Sequence, residues 1–325
     1  MTNMRIAIEG LGVVGARVAR ELVTTPGVDM TVVGADLERF TAVDKALGGG
    51  LVRGTRGSEV DRVILSGTAG DHVAAARHWL GRGIDVVSMG DDLGDIEELL
   101  ALDGVALAND ATVVVGVAAS PGLTCVLTRH AAGLLDVVTE VHVASFGAGG
   151  VECLRHRQRQ LTETAREWRD GEWLSHPGGS GKELCWFPDP LGARDCARGA
   201  LAEPVLATRA FDGIERATAR AAVTGSDRIL GFLPRRNRAP VEAEPGAVRV
   251  DVRGRAGVEP TTVVYAVLDR LSVAAAATAA ALVVGWADHD VPTGAHGLAE
   301  FVRPLPMLSE LARRGVKAAT LSTTP

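Results

Sequence analysis

The sequence predicts an α/β protein: an N-terminal doubly wound parallel sheet, followed by a second α+β domain containing a mainly antiparallel sheet. Three observations carry this. Short apolar runs alternate with helical stretches through the first third of the chain, a Gly-x-Gly-x-x-Gly turn joins the first strand to the first helix, and late in the chain strand follows strand without a helix between.

Taken in order, Met4–Glu9 reads as a strand, Ala16–Thr24 as a helix and Met30–Gly34 as a second strand. Val63–Ser66 and Val86–Ser88 are further β-branched runs, followed by the helical segments His72–Leu80 and Leu93–Leu102. Thr112–Ala118 is a fully apolar strand, as expected where both faces of a parallel sheet are covered. Ser120-Pro121-Gly122 then starts a helix through Leu134, with serine suited to the N-cap and proline to the first helical position. After Leu135 the pattern changes. Val138–Phe146 reads as a strand, Glu152–Asp170 as a long polar helix, and Ala217–Thr224, Ala247–Arg253 and Thr261–Asp269 as strands. Gly225–Gly246 has little periodicity and reads as an exposed loop or lid. A last helix, Leu305–Arg314, is stopped by Gly315. The expected division is residues 1–135 for dinucleotide binding and 136–325 for substrate and dimerisation, the C-terminal helix returning to the first domain.

The turn Gly10-Leu11-Gly12-Val13-Val14-Gly15 leaves an apolar strand and opens a helix, the context of a Rossmann dinucleotide site. Gly10 permits the tight turn, Gly12 lets a pyrophosphate approach the backbone, and Gly15 lets helix and strand lie close. The helix N-terminus adds free N–H groups and a positive dipole end. Asp36, 21 residues beyond Gly15, suits the ribose hydroxyls of NAD and would repel the 2′-phosphate of NADP; Arg39 would accept that phosphate if Asp36 turned away. A plain helix cap is the other reading of Asp36. Ser66, Gly67 and Ser88 end the next strands, where the cofactor crosses.

Bulk properties narrow the function. Hydrophobic residues make up 46% of the 325 and charged residues 23%, an ordinary globular balance. A net charge of -6 offers no broad positive field for nucleic acid. Of the 34 basic residues only Lys45, Lys182 and Lys317 are lysines. The first residues lack a signal-peptide pattern, and Cys125, Cys153, Cys185 and Cys196 lack zinc-ligand spacing; both point to reduced thiols in the cytoplasm and no metal. Leu271–Ala287 is uncharged, yet at 17 residues and rich in alanine it suits a helix buried within the protein better than a membrane span.

Val113-Val114-Val115-Gly116-Val117-Ala118-Ala119-Ser120-Pro121-Gly122-Leu123-Thr124 resembles the saccharopine dehydrogenase family, whose members carry a similar apolar strand, small-residue turn and Pro-Gly-[Leu/Val]-[Thr/Ser] after the dinucleotide fold. With Gly10–Gly15 the resemblance covers about the first 135 residues in register. It implies nicotinamide-dependent chemistry at a carbon–nitrogen bond of an amino-acid-derived imine, amine or carbonyl. Ala119-Ser120 stands where many relatives carry an acid, and the second half matches no catalytic pattern of the family.

Hydride transfer needs a substrate held over the nicotinamide and, as a rule, a proton donor or acceptor. Lys182 lies in a segment rich in glycine and aromatics (Gly178–Pro190), Asp195 follows it, and His296 sits between glycines at a domain junction; these three are the catalytic candidates. For each a structural role is the alternative. Arg155-His156-Arg157-Gln158-Arg159 reads as the solvated face of a polar helix, or as an attractor for a carboxylate-bearing substrate. Two other functions remain open. One is a dinucleotide-binding sensor or scaffold without turnover. The other is a homoserine-dehydrogenase-like alcohol oxidoreductase, which would want paired lysine and acid residues on a second-domain helix. A homodimer is expected from the strand-rich second half.

Overall fold

The computed structural model describes residues 3–222 and 244–320. The loop read over Gly225–Gly246 lies outside them apart from residues 244–246, as do Thr224 and the residues from Leu321 onward.

Six strands alternate with helices in the N-terminal part. They are β1 (Met4–Glu9), β2 (Val28–Val33), β3 (Val52–Arg53), β4 (Arg62–Leu65), β5 (Asp85–Ser88) and β6 (Thr112–Val115). The helices are α1 (Val13–Val23), α2 (Leu37–Ala46), α3 (His72–Leu80), α4 (Leu93–Leu100) and α5 (Asp103–Ala108). The strands pair in parallel in the order β3-β2-β1-β4-β5-β6. The chain therefore reverses its direction of travel between β1 and β4, and a crevice opens outside their carboxyl ends. Val113, Val114 and Val115 are fully buried, each such side chain stabilising the fold by about 1.5–3 kcal/mol.

Helix α6 (Leu123–Ala132) leads into a second sheet. Its strands are β7 (Val137–Phe146), β8 (Ala165–Arg169), β9 (Glu172–His176), β12 (Arg216–Ala222), β13 (Gly246–Ala256), β14 (Glu259–Asp269) and β16 (Ala319–Thr320), in the order β16-β14-β13-β7-β12-β8-β9. Only β7 and β12 run parallel; the other neighbours are antiparallel. Between β9 and β12 lie a hairpin, β10 (Glu183–Trp186) with β11 (Ala193–Cys196), and helix α8 (Glu203–Ala210). Helix α7 (Val151–Gln160) follows β7. Late in the chain come α9 (Leu271–Val284), β15 (Gly294–Gly297), α10 (Leu298–Phe301) and α11 (Pro304–Arg313). Strand β15 pairs in parallel with β6 and makes the seventh strand of the first sheet. The alanine-rich α9 is buried almost throughout and packs on α1 and α11. Among the described residues no helix is long and apolar enough to cross a membrane.

Two local expectations need correcting. The polar stretch after residue 151 is helical only to Gln160. Ala165-Arg166-Glu167-Trp168-Arg169 is instead a strand, because alternate residues Ala165 and Glu167 are buried against the sheet while the others are not. Ser120 and Pro121 are not the cap and first residue of α6. Gly122, at φ +131°, caps that helix, and Pro121 closes a turn in which the Ala118 N–H donates to the Pro121 carbonyl at 2.9 Å.

Candidate functional site

The glycine turn between β1 and α1 is built for two different reasons. A side-chain carbon on Gly10 would lie 2.7 Å from the Gly67 amide nitrogen, and one on Gly15 would collide with the Gly10 carbonyl and lie 2.6 Å from Ser66 Oγ. Both positions are closed by the protein itself. Gly12, at the N-cap of α1, has nothing within 4 Å of a built Cβ. Its bareness relieves no internal contact; it leaves main chain open at the positive end of a helix, where a phosphate finds N–H donors.

The neighbouring loops are fixed by internal bonds. Ser66 Oγ donates to the Gly10 carbonyl at 2.8 Å. Ser88 Oγ lies 2.8 Å from His72 Nδ1, and His72 Nε2 lies 3.3 Å from the Gly67 carbonyl, so one buried imidazole braces the ends of β4 and β5. The sequence reading missed His72, whose only signal was its place at the start of a helix. Leu11 offers its carbonyl to Arg39 Nε at 2.8 Å, Val13 faces Gly150, and Val14 packs on the core. Asp36 caps α2, accepting from the Arg39 N–H at 2.7 Å through one carboxylate oxygen.

The structure does not bring the three catalytic candidates together. Lys182 precedes β10 and Asp195 lies on β11, both exposed on the hairpin. His296 lies on β15, at the far edge of the first sheet. Its Nε2 is 3.1 Å from the Thr293 carbonyl and its Nδ1 3.5 Å from Glu300, whose carboxylate holds the imidazole pKa above its ordinary value. Glu300 also accepts from Arg209 Nε at 2.8 Å.

A different polar cluster converges beyond the carboxyl ends of β5 and β6. Helix α7 starts with Gly150 against Val13 and carries Cys153, His156, Arg157 and Gln160 at the spacing of a single helix face. Gln160 Nε2 donates to the Asp91 carbonyl at 2.7 Å. Arg157 Nη2 lies 3.3 Å from both Asp91 Oδ2 and the Ser120 carbonyl. His156 Nε2 lies 3.3 Å from Asp91 Oδ1, while its Nδ1 accepts from Arg159 Nη2 at 2.9 Å. A guanidinium can only donate, so Nδ1 is the acceptor in that bond and Nε2 carries the ring proton, without a hydrogen-bond partner among the described residues. His156 and Arg157 are buried, so the solvated reading of this basic stretch holds only for Arg155 and Arg159, which are exposed. Residues i, i+1 and i+4 of a helix turn inward together when a neighbouring element covers them, and composition does not record what covers them.

Glu203, at the start of α8, completes the cluster. Burial pushes its carboxyl pKa above the ordinary range, with the nearby Arg157 charge opposing the shift. Ser120 Oγ donates to Glu203 Oε1, while Oε2 is buried without a partner among the described residues. Glu203 also lines a small cavity with Thr124, Cys125, Leu206 and Phe211. Burial drives the Cys125 thiol up to about 12 and the Cys153 thiol up to about 11, so both stay protonated at neutral pH. Among the described residues no group of three or more His, Cys, Asp or Glu side chains is placed to hold a metal.

No family model matches the chain, and no curated protein matches it. Solved structures share its fold. The apo saccharopine dehydrogenase (L-Glu forming) of Saccharomyces cerevisiae is 13% identical, with a TM-score of 0.68 over 98% of this chain and 100% of that one. The DAP dehydrogenase of C. glutamicum, solved in complex with DAP, is 18% identical, with a TM-score of 0.52 over 97% and 99%. An engineered D-amino acid dehydrogenase bound to NADP+ is 17% identical, with a TM-score of 0.50 over 96% and 99%. Over nearly their whole lengths, the chain is similar in fold to Rossmann-type dehydrogenases.

Proposed function

We propose that the chain is an NAD(P)-dependent oxidoreductase acting on an amino-acid-derived imine, amine or carbonyl. The observation that carries this reading is Gly12: of three glycines in the turn, it alone faces open space, at a helix N-terminus beside the switch point of the sheet. Gly10, Leu11, Gly12, Val13, Val14 and Gly15 would hold the pyrophosphate of NAD or NADP, with Ser66, Gly67 and Ser88 shaping the crevice beside it. Asp36, on the turn after β2, would meet the adenosine ribose and favours NAD. When bound, the nicotinamide supplies the hydride.

The substrate end of the site belongs to Asp91, His156 and Arg157. Asp91 is 30% exposed in its side chain, whereas both its partners are buried. It is thus the member of the cluster open to a ligand, and Arg157 on α7 holds it in place, with His156 beside it. Arg157 lies 3.3 Å from the Asp91 carboxylate, while burial raises the pKa of the nearby Glu203 carboxyl, so the two acids sit in different environments and Asp91 is the one that would meet an ammonium group of the substrate. Lys182, Asp195 and His296 lie apart from this cluster, which supports a second reading, a dinucleotide-binding sensor without turnover.

One experiment separates the readings. NADH and NADPH are titrated onto the protein by fluorescence, and nicotinamide absorbance is then followed with a panel of 2-oxo acids and amines. Turnover supports the enzyme, binding without turnover on any pair supports the sensor, and no binding of either dinucleotide sinks both. The proposal includes the division at residues 1–135 and 136–325, a cytoplasmic location, where the nicotinamide pool is at hand, and a homodimer paired through the second sheet.

A further inference from the structure

The hairpin β10–β11 carries two of the four cysteines. In its ladder Cys185 opposes Arg194 and Cys196 opposes Glu183, so the cysteines are two positions apart on adjacent strands and share a face. That face lies over the end of the second sheet, where Cys196, Phe187 and Leu191 pack with Phe146, Ala144, Ala222 and Ala247, and Cys185 borders the cluster. The register and the shared cluster make the two thiols neighbours on that face.

We propose that Cys185 and Cys196 form a peroxide-sensitive dithiol, closed by oxidation into a cross-strand disulfide within this hairpin. The two sulfurs have unequal roles. Cys185 is half-buried and accepts the Cys196 hydrogen bond, which holds its pKa below that of an ordinary thiol, helped by the Arg249 and Arg220 guanidiniums. Arg249 is fixed in that place, donating to the Trp186 carbonyl at 2.9 Å and to Asp251 at 2.6 Å. Cys196 is fully buried and its own pKa is raised, first by sharing its proton with Cys185 and then by desolvation. Cys185 is thus the attacking thiolate and Cys196 the resolving thiol.

In the first step the Cys185 thiolate attacks one peroxide oxygen and breaks the O–O bond. Hydroxide leaves, takes up a proton to become water, and Cys185 becomes a sulfenic acid. In the second, Cys196 gives up its proton and its sulfur attacks the Cys185 sulfur, expelling the hydroxyl group as a second water. The two sulfurs together lose two electrons, and one hydrogen peroxide becomes two waters. Diagonal positions on paired strands are farther apart than the Cβ separation a relaxed disulfide prefers, so the bond is formed under strain and is easily reduced. Such a bond suits a reversible modification better than a permanent brace.

The other two cysteines are internal controls, since burial keeps Cys125 and Cys153 protonated. The test uses the full-length reduced protein at neutral pH. Timed alkylation with iodoacetamide and peptide mass spectrometry should show Cys185 reacting at least about tenfold faster than Cys125 or Cys153. Hydrogen peroxide followed by non-reducing digestion should yield a peptide pair joined through Cys185 and Cys196, separated again by dithiothreitol. In Cys196→Ser the joined pair should vanish, and dimedone should trap a sulfenic acid on Cys185. Alkylation of Cys185 no faster than of Cys125 would overturn the proposal, and so would oxidation of either cysteine to a sulfinic acid with no joined pair in the unsubstituted chain.

Discussion

Replacing Gly12 by alanine separates a ligand-binding glycine from a folding glycine. Gly12 has φ -70°, a value any residue adopts, and a methyl group there meets nothing within 4 Å. The cost to the fold is the modest preference of an N-cap for glycine over alanine, under about 1 kcal/mol. In a chain of this size that lowers Tm by at most about 2–4 °C. Gly15→Ala is the contrasting variant. Its methyl group would overlap the Gly10 carbonyl and sit 2.6 Å from Ser66 Oγ, and forcing such an overlap costs about 1–3 kcal/mol, some of it through the Ser66–Gly10 bond. Differential scanning fluorimetry with and without NADH or NADPH reads both effects. At a dinucleotide concentration about 100 times Kd the unsubstituted protein gains about 2.7 kcal/mol of stability. Gly12→Ala should melt within about 2–4 °C of it without ligand and gain nothing with ligand. Gly15→Ala should already melt lower without ligand. If Gly12→Ala kept the ligand-induced gain, the open space before Gly12 would not be the pyrophosphate site and the reasoning would fail. If Gly12→Ala fell as far as Gly15→Ala without ligand, the steric distinction would be wrong.

Two pH dependences follow from buried groups. The folded pKa of Glu203 is raised above its unfolded value by burial, so the stability tied to its neutral form is fully present below about 4.5 and is lost as pH rises through the folded pKa. Glu203→Gln, which cannot ionise, should therefore gain stability relative to the unsubstituted chain between pH 5 and pH 8 in urea unfolding; a constant difference would contradict the assignment. His296 is shifted upward chiefly by its hydrogen bond to Glu300, so its contribution is complete below about 6.5 and is lost as pH rises through the folded value. His296→Gln should be destabilised more at pH 5.5 than at pH 9 in the same assay, and the opposite order would contradict the ion pair.

Local physics made the first half of the chain legible. A strand covered on both faces must be apolar where it is covered, and a dinucleotide turn must be bare at fixed spacing, so Ile6-Ala7-Ile8 in β1, the valines of β6 and Gly10–Gly15 announce themselves in a few consecutive residues. Short-range patterns also misled. Ser120-Pro121 has the residue types of a helix start, but the turn from Ala118 to Gly122 uses them to connect β6 to α6, and the Ser120 hydroxyl goes to a glutamate 83 residues away. The Glu-rich, Arg-rich run through residue 170 has helical composition, yet the pairing of β8 with β9 and β12 decides its conformation.

By itself, then, the sequence determined the parallel sheet, the turn that opens it and the change to antiparallel pairing, because each is written in neighbouring residues. Tertiary structure alone decided that Gly294–Gly297 joins the first sheet, that His156 and Arg157 turn inward to Asp91, that Glu203 is buried beside Ser120, and that Cys185 and Cys196 share one face of a hairpin. Burial and proximity are properties of what lies across from a residue, and the partners here come from distant parts of the chain or from an opposing strand whose register is set only by folding.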